Sequence, residues 1–498
     1  MNQNQQVLIA GAGPVGLMLA CELSLAGVPA VVLERAEQPS GQSLGMAINP
    51  AVVELLTQRG LMETLRNDGF DFPMAHFAHM WLDPAKLGQQ HPYNFAVPHS
   101  LVARRLAERA VAQGVDIRRG HKVTGADQDD TGVIVEVRMA TGLYSLRGSF
   151  LIGCDGARST VRELAGIGFP GTDIPFSGIT GDVEIEPDDP LLGRIGVAQH
   201  QTGFVTIAPI GESVLRFTTG EFGVGTCDVE APVSYAELRA TAERITGVPV
   251  TTGTARWLAR WDTPTRQADR YRSGRVFLAG DAAHVHFPLG GQALSTGIED
   301  AVDLGWKLAA DLHGWAPPGL LDTYHEERHP VGARACLTTR AQVAMLYPLE
   351  RVGPLRDIFA ELVKFDAVNE YLVEMVGGLD VRYPMPNPDQ EPNELLGRRL
   401  PDIALATATE QTTLASLLRA GRGVLLDMSE GAATAEAVSG WADRVDNVVA
   451  KPTSEFAAAG LLVRPDGRVA WAATEATEQD NWDQGLRAAL RMWFGEPR

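Results

Sequence analysis

Three short segments rich in glycine and acidic residues carry most of the chemistry that this sequence indicates. The first, Gly11-Ala12-Gly13-Pro14-Val15-Gly16, follows the apolar run Val7–Ala10 and precedes a segment of helical composition. Glycines in this pattern let the backbone approach a pyrophosphate, whose charge the helix N-terminus stabilises. Glu34 ends the next apolar run, and its carboxylate can accept hydrogen bonds from ribose hydroxyls. The pattern predicts a dinucleotide site and leaves NAD and FAD both open.

Two later segments each end an apolar run in a glycine–acid pair. Leu151–Gly156 contains Asp155, with Ser159 and Arg162 in the turn that follows. Arg275–Asp281 leads to a second glycine pair within Pro288–Ala293, where a helix is expected to begin. Asp281 can accept a hydrogen bond from a polyol hydroxyl. The unpaired N–H groups at such a helix start suit the pyrimidine side of a reduced, anionic flavin.

The elements that position these segments alternate between strands and helices. The first segment is typical of a parallel strand–helix–strand unit. Residues 173–268 contain short β-rich runs between Gly and Pro, which predict an antiparallel sheet inserted into an α/β domain. Helical patterns dominate around 330–380, prolines after Tyr383 mark a linker, and a separate small α/β unit follows from Leu395.

Composition restricts the partners of this chain. Its 498 residues carry a formal net charge of −19, which argues against nucleic acid and weakly against an anionic membrane surface. None of the four cysteines forms a C-x-x-C pair, so neither a disulfide framework nor a metal site is expected. The polar N-terminus lacks a charged secretion signal, and a reducing cytoplasm fits these features.

Taken together, the three motifs resemble those of the FAD-dependent aromatic hydroxylases typified by para-hydroxybenzoate hydroxylase. The resemblance covers about residues 1–345, and Leu396–Asp402 looks like the start of the C-terminal extension of the larger aklavinone-hydroxylase and rifampicin-monooxygenase types. It implies an α/β fold: a Rossmann-like FAD-binding domain with an inserted antiparallel-sheet substrate domain and a C-terminal thioredoxin-like domain. No cysteine lies beyond Cys336, so the last domain is expected to be redox-silent.

The resemblance also implies domain boundaries. The discontinuous FAD-binding domain would take residues 1–72, 98–172 and 269–345, and the substrate-binding sheet domain 73–97 and 173–268. A helical linker would take 346–394, and the thioredoxin-like domain 395–498.

The implied function is NAD(P)H- and O₂-dependent monooxygenation with FAD. NADPH or NADH would act as a transient reductant, and oxygen would pass from a flavin C4a-hydroperoxide to a large aromatic substrate, by analogy a polyketide of antibiotic biosynthesis. The flavin carries this chemistry, and the protein supplies position and electrostatics. Baeyer–Villiger-type insertion or ring opening stays open, as does a redox-neutral or binding-only role. Either a monomer or a homodimer is compatible with the sequence.

Matching positions assign roles to individual residues. The residues expected to bind the cofactor are Gly11, Gly13, Val15, Gly16, Glu34, Arg35, Arg104, Val123, Asp155, Asp281, Pro288, Leu289, Gly290, Gly291, Gln292 and Ala293. Asp155 is equally compatible with a structural role. His286 and Pro288 are the candidates for catalysis, whereas His284 is expected to pack beneath the loop. The candidate substrate pocket contains His200, Phe204, Phe217 and Phe287.

The sequence departs from the family pattern at three places. The arginine usually found after the second strand is absent between Arg35 and Arg59. His99 stands where a glutamine is usual, and Ser295 lies where the family carries an asparagine. These departures concern flavin affinity and movement and leave the nucleotide motif intact.

Overall fold

The computed structural model describes residues 6–42, 44–88, 93–211, 213–250, 252–386, 393–429, 437–474, 477 and 479–498. A six-stranded sheet forms its centre. In spatial order its strands are Arg272–Ser273, Val276–Leu278, Phe150–Gly153, Val7–Ala10, Ala30–Glu34 and Asp116–Arg119. All neighbours are parallel except the outermost pair at Arg272–Ser273. The three central strands, Val7–Ala10, Phe150–Gly153 and Val276–Leu278, are short apolar runs that are buried throughout, as expected for a parallel sheet covered on both faces.

The parallel order places the three motifs at one edge of this sheet. Val7–Ala10, Phe150–Gly153 and Val276–Leu278 are neighbours and run in the same direction, so their carboxyl ends lie side by side. Each predicted glycine or glycine–acid turn follows one of these ends. Ligands of open α/β sheets bind outside the carboxyl ends of the strands, so the three turns lie together at the edge where such a ligand would bind.

Two antiparallel sheets are inserted into this framework. A three-stranded meander contains Lys122–Asp129, Gly132–Met139 and Gly142–Gly148. The predicted substrate sheet has five strands, in the order Gly196–His200, Gly203–Gly211, Val214–Phe222, Phe176–Glu184 and Thr254–Trp261. Helix Tyr235–Thr246 packs on one face of the five-stranded sheet through Leu238, Ala242 and Ile245. The prediction of an inserted antiparallel sheet is confirmed.

The remaining strands of the first 345 residues are short. They are Ala47–Ile48, Phe70–Phe72, Ala75–Phe77, Met80–Leu82, Asn94–Ala96, Gly171–Thr172, Thr265–Gln267 and His284–Val285. The α-helices of the first 380 residues are Pro14–Leu25, Pro50–Gln58, Met62–Leu65, His99–Ala112, Thr160–Leu164, Tyr235–Thr246, Gln292–Leu312, Thr323–Ala344, Leu349–Leu362 and Asp366–Gly377. None of the helices within the described ranges is both long and apolar enough to cross a membrane.

The C-terminal unit contains a mixed four-stranded sheet. Its order is Val445–Val449, Gly423–Asp427, Gly460–Val463 and Val469–Ala473, with only the first pair parallel. A smaller sheet is formed by Ala404–Ala406, Gln411–Thr413 and Lys451–Pro452, and the described residues of the unit include the α-helices Leu414–Leu417 and Gln479–Phe494. The thioredoxin-like assignment of this unit and the four domain boundaries stay predictions.

A buried network of charges joins the C-terminal unit to the flavin-domain helices. Arg464 donates to Glu327 at 2.6 Å and to Asp303 at 3.1 Å, and Lys307 donates to the same two carboxylates at 2.6 and 2.8 Å. These four side chains are at most 1% exposed. Asp466 also pairs with Arg464. Removing one cation would leave buried carboxylates without compensation, which costs far more than the pair itself contributes.

Replacing Arg464 is therefore expected to weaken the fold strongly. The Arg464→Leu variant should lose about 3–5 kcal/mol of unfolding free energy, because Glu327 and Asp303 keep their burial and lose a cation. Urea unfolding followed by circular dichroism measures this. The matched control is Arg256→Leu, since Arg256 and Glu184 form a 2.7 Å ion pair that is about half exposed and such pairs contribute about 0–1 kcal/mol. Equal effects of the two substitutions would contradict this account.

Candidate flavin site

The first glycine turn is shaped by close backbone approach. Gly11 has a φ of +105°, and a Cβ there would lie 2.3 Å from the Cys154 carbonyl oxygen, so only glycine fits beside the second motif. At Gly13, by contrast, a Cβ would meet none of the described residues within 4 Å. The protein itself does not need glycine at that position. The open space at the start of helix Pro14–Leu25 fits the approach of a pyrophosphate.

Glu34 lies beside this turn at the end of its strand. Its carboxylate accepts hydrogen bonds from the backbone N–H groups of Ala12 and Ala36, both at 2.8 Å. Two carboxylate oxygens offer about four acceptor positions, so ribose hydroxyls could still bind here. The backbone of His121 donates to the Glu34 carbonyl at 2.8 Å, which brings the strand containing buried Val123 to the predicted adenosine side. Arg35 is exposed next to it.

Side chains of the second motif form hydrogen bonds within their own turn and with the third motif. Asp155 accepts hydrogen bonds from the Val161 backbone at 3.1 Å and from Ser159 Oγ at 2.5 Å, and burial raises the pKa of its carboxyl. Arg162 donates to the carbonyls of Ala282 at 3.0 Å and Ala157 at 2.9 Å. These contacts give Asp155 and Arg162 structural roles. The predicted cofactor contact of Asp155 stays a prediction.

Asp281 lies in the turn that follows strand Val276–Leu278. Its side chain is exposed at the edge of the sheet, yet the surrounding protein desolvates the carboxyl enough to raise its pKa. Val15 of the first motif packs closely against the neighbouring Gly280. An exposed carboxylate next to the first glycine turn could accept a hydrogen bond from a polyol, and the predicted cofactor contact of Asp281 stays a prediction.

The loop after this turn ends at an open helix N-terminus. Gly290 and Gly291 have φ values of +73° and +69°, and helix Gln292–Leu312 begins directly after them. Within the described residues no side chain caps its first N–H groups. The Gln292 side chain is buried, its Oε1 accepts from Thr338 at 3.2 Å, and its Nε2 has no partner in the part of the chain that the structure describes. Uncapped N–H groups and a spare buried donor fit the carbonyl-rich side of a flavin.

The two histidines of the loop have different surroundings. His284 Nε2 lies 2.7 Å from Asp300 Oδ2, and both side chains are fully buried, so His284 supports the loop from below. His286 is also buried, and its Nε2 has no partner among the described residues. Burial, followed by repulsion from His284, lowers the pKa of His286 to about 4. His286 is therefore neutral at pH 7 and suited to hydrogen bonding. Its catalytic role and that of exposed Pro288 stay predictions.

The three departures from the family pattern converge on one segment. His99 Nε2 lies 3.1 Å from the Ala47 carbonyl, and a Cβ at Gly45 would lie 2.1 Å from the His99 ring. Ser295 Oγ accepts from the Asn49 backbone at 3.1 Å. Residues 44–49 thus lie between His99 and the start of the flavin-side helix. The changes that look separate in the sequence form one packing unit.

Not every predicted cofactor residue is brought to this edge by the contacts observed. Arg104 is half exposed and donates to Asp68 at 3.2 Å, so its predicted reach to the diphosphate or ribityl chain stays a prediction. Asp300 was missed in the sequence. It accepts from the Gly280 backbone at 3.0 Å and from Arg328 Nε at 2.7 Å, besides His284. Burial would raise its pKa, but Arg328 and His284 lower it to about 2.

Three of the four predicted pocket residues, His200, Phe204 and Phe217, lie on the substrate sheet and are divided between its two faces, while Phe287 lies in the loop after His284–Val285; their assignment to a substrate pocket stays a prediction. Phe204 and Phe287 belong to an aromatic cluster next to the loop, with ring centroids 6.4 Å apart. Phe217 pairs with Ile207 and faces helix Tyr235–Thr246. His200 and Phe217 line a separate apolar cavity of about 310 Å³ on that side. Phe204 and Phe217 lie on opposite faces of the sheet because successive side chains along a strand point to opposite faces.

Comparison with known protein families covers nearly the whole chain. A family model for an FAD binding domain matches residues 4–339, and a model for the C-terminal domain of aromatic-ring hydroxylases matches residues 393–497.

Curated relatives match over almost their full lengths. A dialkyldecalin synthase of Streptomyces rugosporus is 51% identical over 98% of both chains. A 12-dehydrotetracycline 5-monooxygenase/anhydrotetracycline 6-monooxygenase of Streptomyces rimosus is 41% identical over 99% of both.

The similar solved structures also include both a ring-forming enzyme and hydroxylases. A Diels-Alderase of pyrroindomycin biosynthesis has a TM-score of 0.87 at 50% identity and covers 99% of this chain and all of its own. An anhydrotetracycline hydroxylase from Streptomyces rimosus has a TM-score of 0.90 at 41% identity, with 99% of each chain covered. A ternary complex of aklavinone-11 hydroxylase with FAD and aklavinone has a TM-score of 0.78 at 27% identity and full coverage of both chains.

The exposed carboxylate of the third motif offers a direct test of the site. Asp281→Ala should weaken FAD binding by roughly 10- to 150-fold, because one charge-assisted hydrogen bond is worth about 1.5–3 kcal/mol. Titration of the apoprotein with FAD, followed by flavin fluorescence, measures the dissociation constant. The control is Asp127→Ala, an exposed acid on the three-stranded meander. An Asp281→Ala variant that binds FAD as tightly as the wild type would remove Asp281 from the site.

Proposed function

Because this chain belongs to the family of FAD-dependent aromatic-ring hydroxylases, an enzyme family with FAD as its cofactor, we propose that it oxygenates a polycyclic, polyketide-like substrate at the expense of NAD(P)H and O₂. The names of its relatives support this substrate class, since they include anhydrotetracycline and aklavinone. The observation that carries the proposal is the convergence of three strand-end motifs beside an aromatic cluster.

The residues of the chain divide the work by position. Gly13 and the start of helix Pro14–Leu25 would receive the pyrophosphate, and Glu34 and Asp281 would accept hydrogen bonds from ribose and polyol hydroxyls. The N-terminus of helix Gln292–Leu312 would face the pyrimidine edge. When bound, FAD supplies two-electron chemistry with the nicotinamide and with O₂. The protein's own contribution is to orient the ring and to exclude water.

An aromatic cluster in the substrate sheet and the adjoining loop would exclude water from the site. It consists of Phe176, Phe204, Phe222, Trp261 and Phe287, which contact one another at centroid distances of 5.2–6.4 Å. All five are at most 8% exposed. Planar substrates stack on such rings. Pro288 and Leu289 directly follow Phe287 in the chain, so the cluster adjoins the predicted flavin loop.

A redox-neutral function on the same scaffold is the second candidate. The dialkyldecalin synthase is 51% identical to this chain, against 41% for the tetracycline monooxygenase. Closing a decalin ring by a Diels–Alder reaction forms two carbon–carbon bonds without net oxidation. The packing unit of residues 44–49, His99 and Ser295 is where this chain departs from the hydroxylase pattern. In that case FAD would serve as part of the scaffold.

Anaerobic flavin reduction separates the two candidates. On the proposed function, NADPH or NADH bleaches the visible absorption of the bound flavin when anhydrotetracycline is present as a probe, and readmitted O₂ restores the colour with the formation of a product carrying one added oxygen. The control is the Asp281→Ala variant reconstituted to the same FAD content. A flavin that stays oxidised with both nicotinamides would contradict the oxygenase and favour the redox-neutral candidate. Locating the added oxygen by NMR distinguishes hydroxylation from Baeyer–Villiger-type insertion.

A further inference from the structure

The outer face of the substrate sheet contains a cavity that the proposed function does not use. It has a volume of about 310 Å³. Residues of five elements line it: the 3₁₀-helix Pro190–Arg194, the strands Gly196–His200, Gly203–Gly211 and Val214–Phe222, and helix Tyr235–Thr246. The aromatic cluster lies on the other face of the same sheet, where Phe204 belongs to it. One sheet therefore separates this cavity from the predicted flavin loop.

Small side chains leave the space open. Helix Tyr235–Thr246 packs against the sheet through Leu238, Ala242 and Ile245. Strand Gly196–His200 is an edge strand, and it contributes only the methyl group of Ala198 opposite Val205. Protein interiors contain few voids larger than a water molecule. A cavity of this size is therefore a place where a further molecule can bind.

The lining of the cavity is mostly apolar. Ten of its thirteen lining residues have apolar side chains, and six of these are at most 5% exposed: Leu191, Val205, Ile207, Phe217, Ala242 and Val250. Sites for small molecules typically have volumes of about 300–1,000 Å³ and combine apolar walls with a few polar groups. An engineered apolar cavity of about 150 Å³ accepts benzene. This cavity thus has room for a larger apolar body, such as an alkyl chain.

The rim of the cavity carries a cation without a protein partner. Arg194 lines the cavity and is exposed, and its guanidinium forms no ion pair or hydrogen bond with any residue that the structure describes. Its neighbour in sequence, Asp189, instead accepts the Leu191 backbone N–H at 2.8 Å and begins the 3₁₀-helix. At the opposite edge of the sheet, by contrast, exposed Arg256 pairs with Glu184 at 2.7 Å. The unpaired charge indicates an anionic group on the ligand.

The polar groups of the rim narrow the chemistry of that anion. A guanidinium carries one fixed positive charge and presents parallel N–H donors that match a carboxylate. His200 also lines the cavity, is half-buried, and has no hydrogen-bond partner within the described ranges, so its ring can add one hydrogen bond. A phosphate group carries nearly two negative charges at pH 7. In a chain with a net charge of −19, one arginine matches a carboxylate better than a phosphate.

We propose that this cavity is a second ligand site, which binds an organic carboxylate with an apolar body, of the alkanoate type. The alkyl chain would lie between the sheet and helix Tyr235–Thr246, and the carboxylate would pair with Arg194 and accept a hydrogen bond from His200. None of the lining residues belongs to the three glycine-containing motifs. The site is therefore independent of flavin chemistry and of the proposed oxygenation.

Isothermal titration of the FAD-loaded enzyme with alkanoates tests both halves of the site. Affinity should rise about fourfold per added methylene from hexanoate to octanoate, because each methylene leaves water. Arg194→Gln should weaken octanoate binding roughly fivefold, the effect of one ion pair at an exposed arginine. Octan-1-ol, which has no charge, should bind Arg194→Gln and the wild type equally. The matched control is Arg256→Gln, which should bind octanoate as the wild type does.

A substitution that fills the cavity locates the bound chain. Ala198 is exposed on an edge strand, so Ala198→Phe can place its ring in the cavity without disturbing the buried core. This variant should lose octanoate binding and keep the FAD content of the wild type. If Ala198→Phe does not fold, the smaller change Ala198→Leu is judged by the same criterion.

Each other outcome overturns the proposal. A wild type that does not bind octanoate, or binding that the filled cavity leaves unchanged, removes the site. Equal octanoate affinity in Arg194→Gln and the wild type rejects recognition of the carboxylate. A wild-type dimer that Ala198→Phe converts to a monomer in sedimentation, with no binding of octanoate, would assign this face to a second copy of the chain.

Discussion

The carboxylate of Asp300 holds together the parts on which the flavin site depends. It accepts the Gly280 N–H of the third motif, contacts His284 beneath the loop and pairs with Arg328 of the next helix, at 3.0, 2.7 and 2.7 Å. The side chains of Asp300, His284 and Arg328 are fully buried, so their charges are compensated by one another and by Glu299, which lies 3.4 Å from Arg328. Asp281 and the predicted flavin loop directly follow Gly280, which the hydrogen bond to Asp300 holds in place. The position of the loop is thus determined by a buried ion pair rather than by loop packing alone.

The C-terminal unit reaches the same helix through the preceding residue. Glu299 accepts from Arg399 at 2.7 Å and from Arg468 at 3.1 Å, and both arginines lie in the unit that has no cysteine. This geometry gives the cysteine-free unit a supporting role, since it fixes the far side of helix Gln292–Leu312. The Arg464 network extends that contact along the helix. A site for oxygen chemistry benefits from such support because small displacements of the ring change its reactivity.

Local features of the site could be predicted from the sequence, and long-range ones could not. The glycine turns were predicted because each motif requires its residues within a few positions of one strand end. Asp300 was missed because an acid in a helical pattern looks like a surface residue until Arg328 is known to meet it. The face on which Phe217 lies could not be predicted, because only the register with Ile207 decides where its ring points. The unit formed by His99, Gly45 and Ser295 was visible as three separate departures, since their contact depends on the folded chain.

The central claim is that three strand ends form one FAD site, and a crystal structure of the FAD-loaded enzyme tests it most directly. We expect adenosine beside Glu34, the pyrophosphate at Gly13 and the start of helix Pro14–Leu25, Asp281 within hydrogen-bonding distance of the ribityl chain, and the flavin ring against Pro288–Gln292. Density for FAD elsewhere in the molecule, or a flavin whose ribityl chain lies far from Asp281, would contradict it.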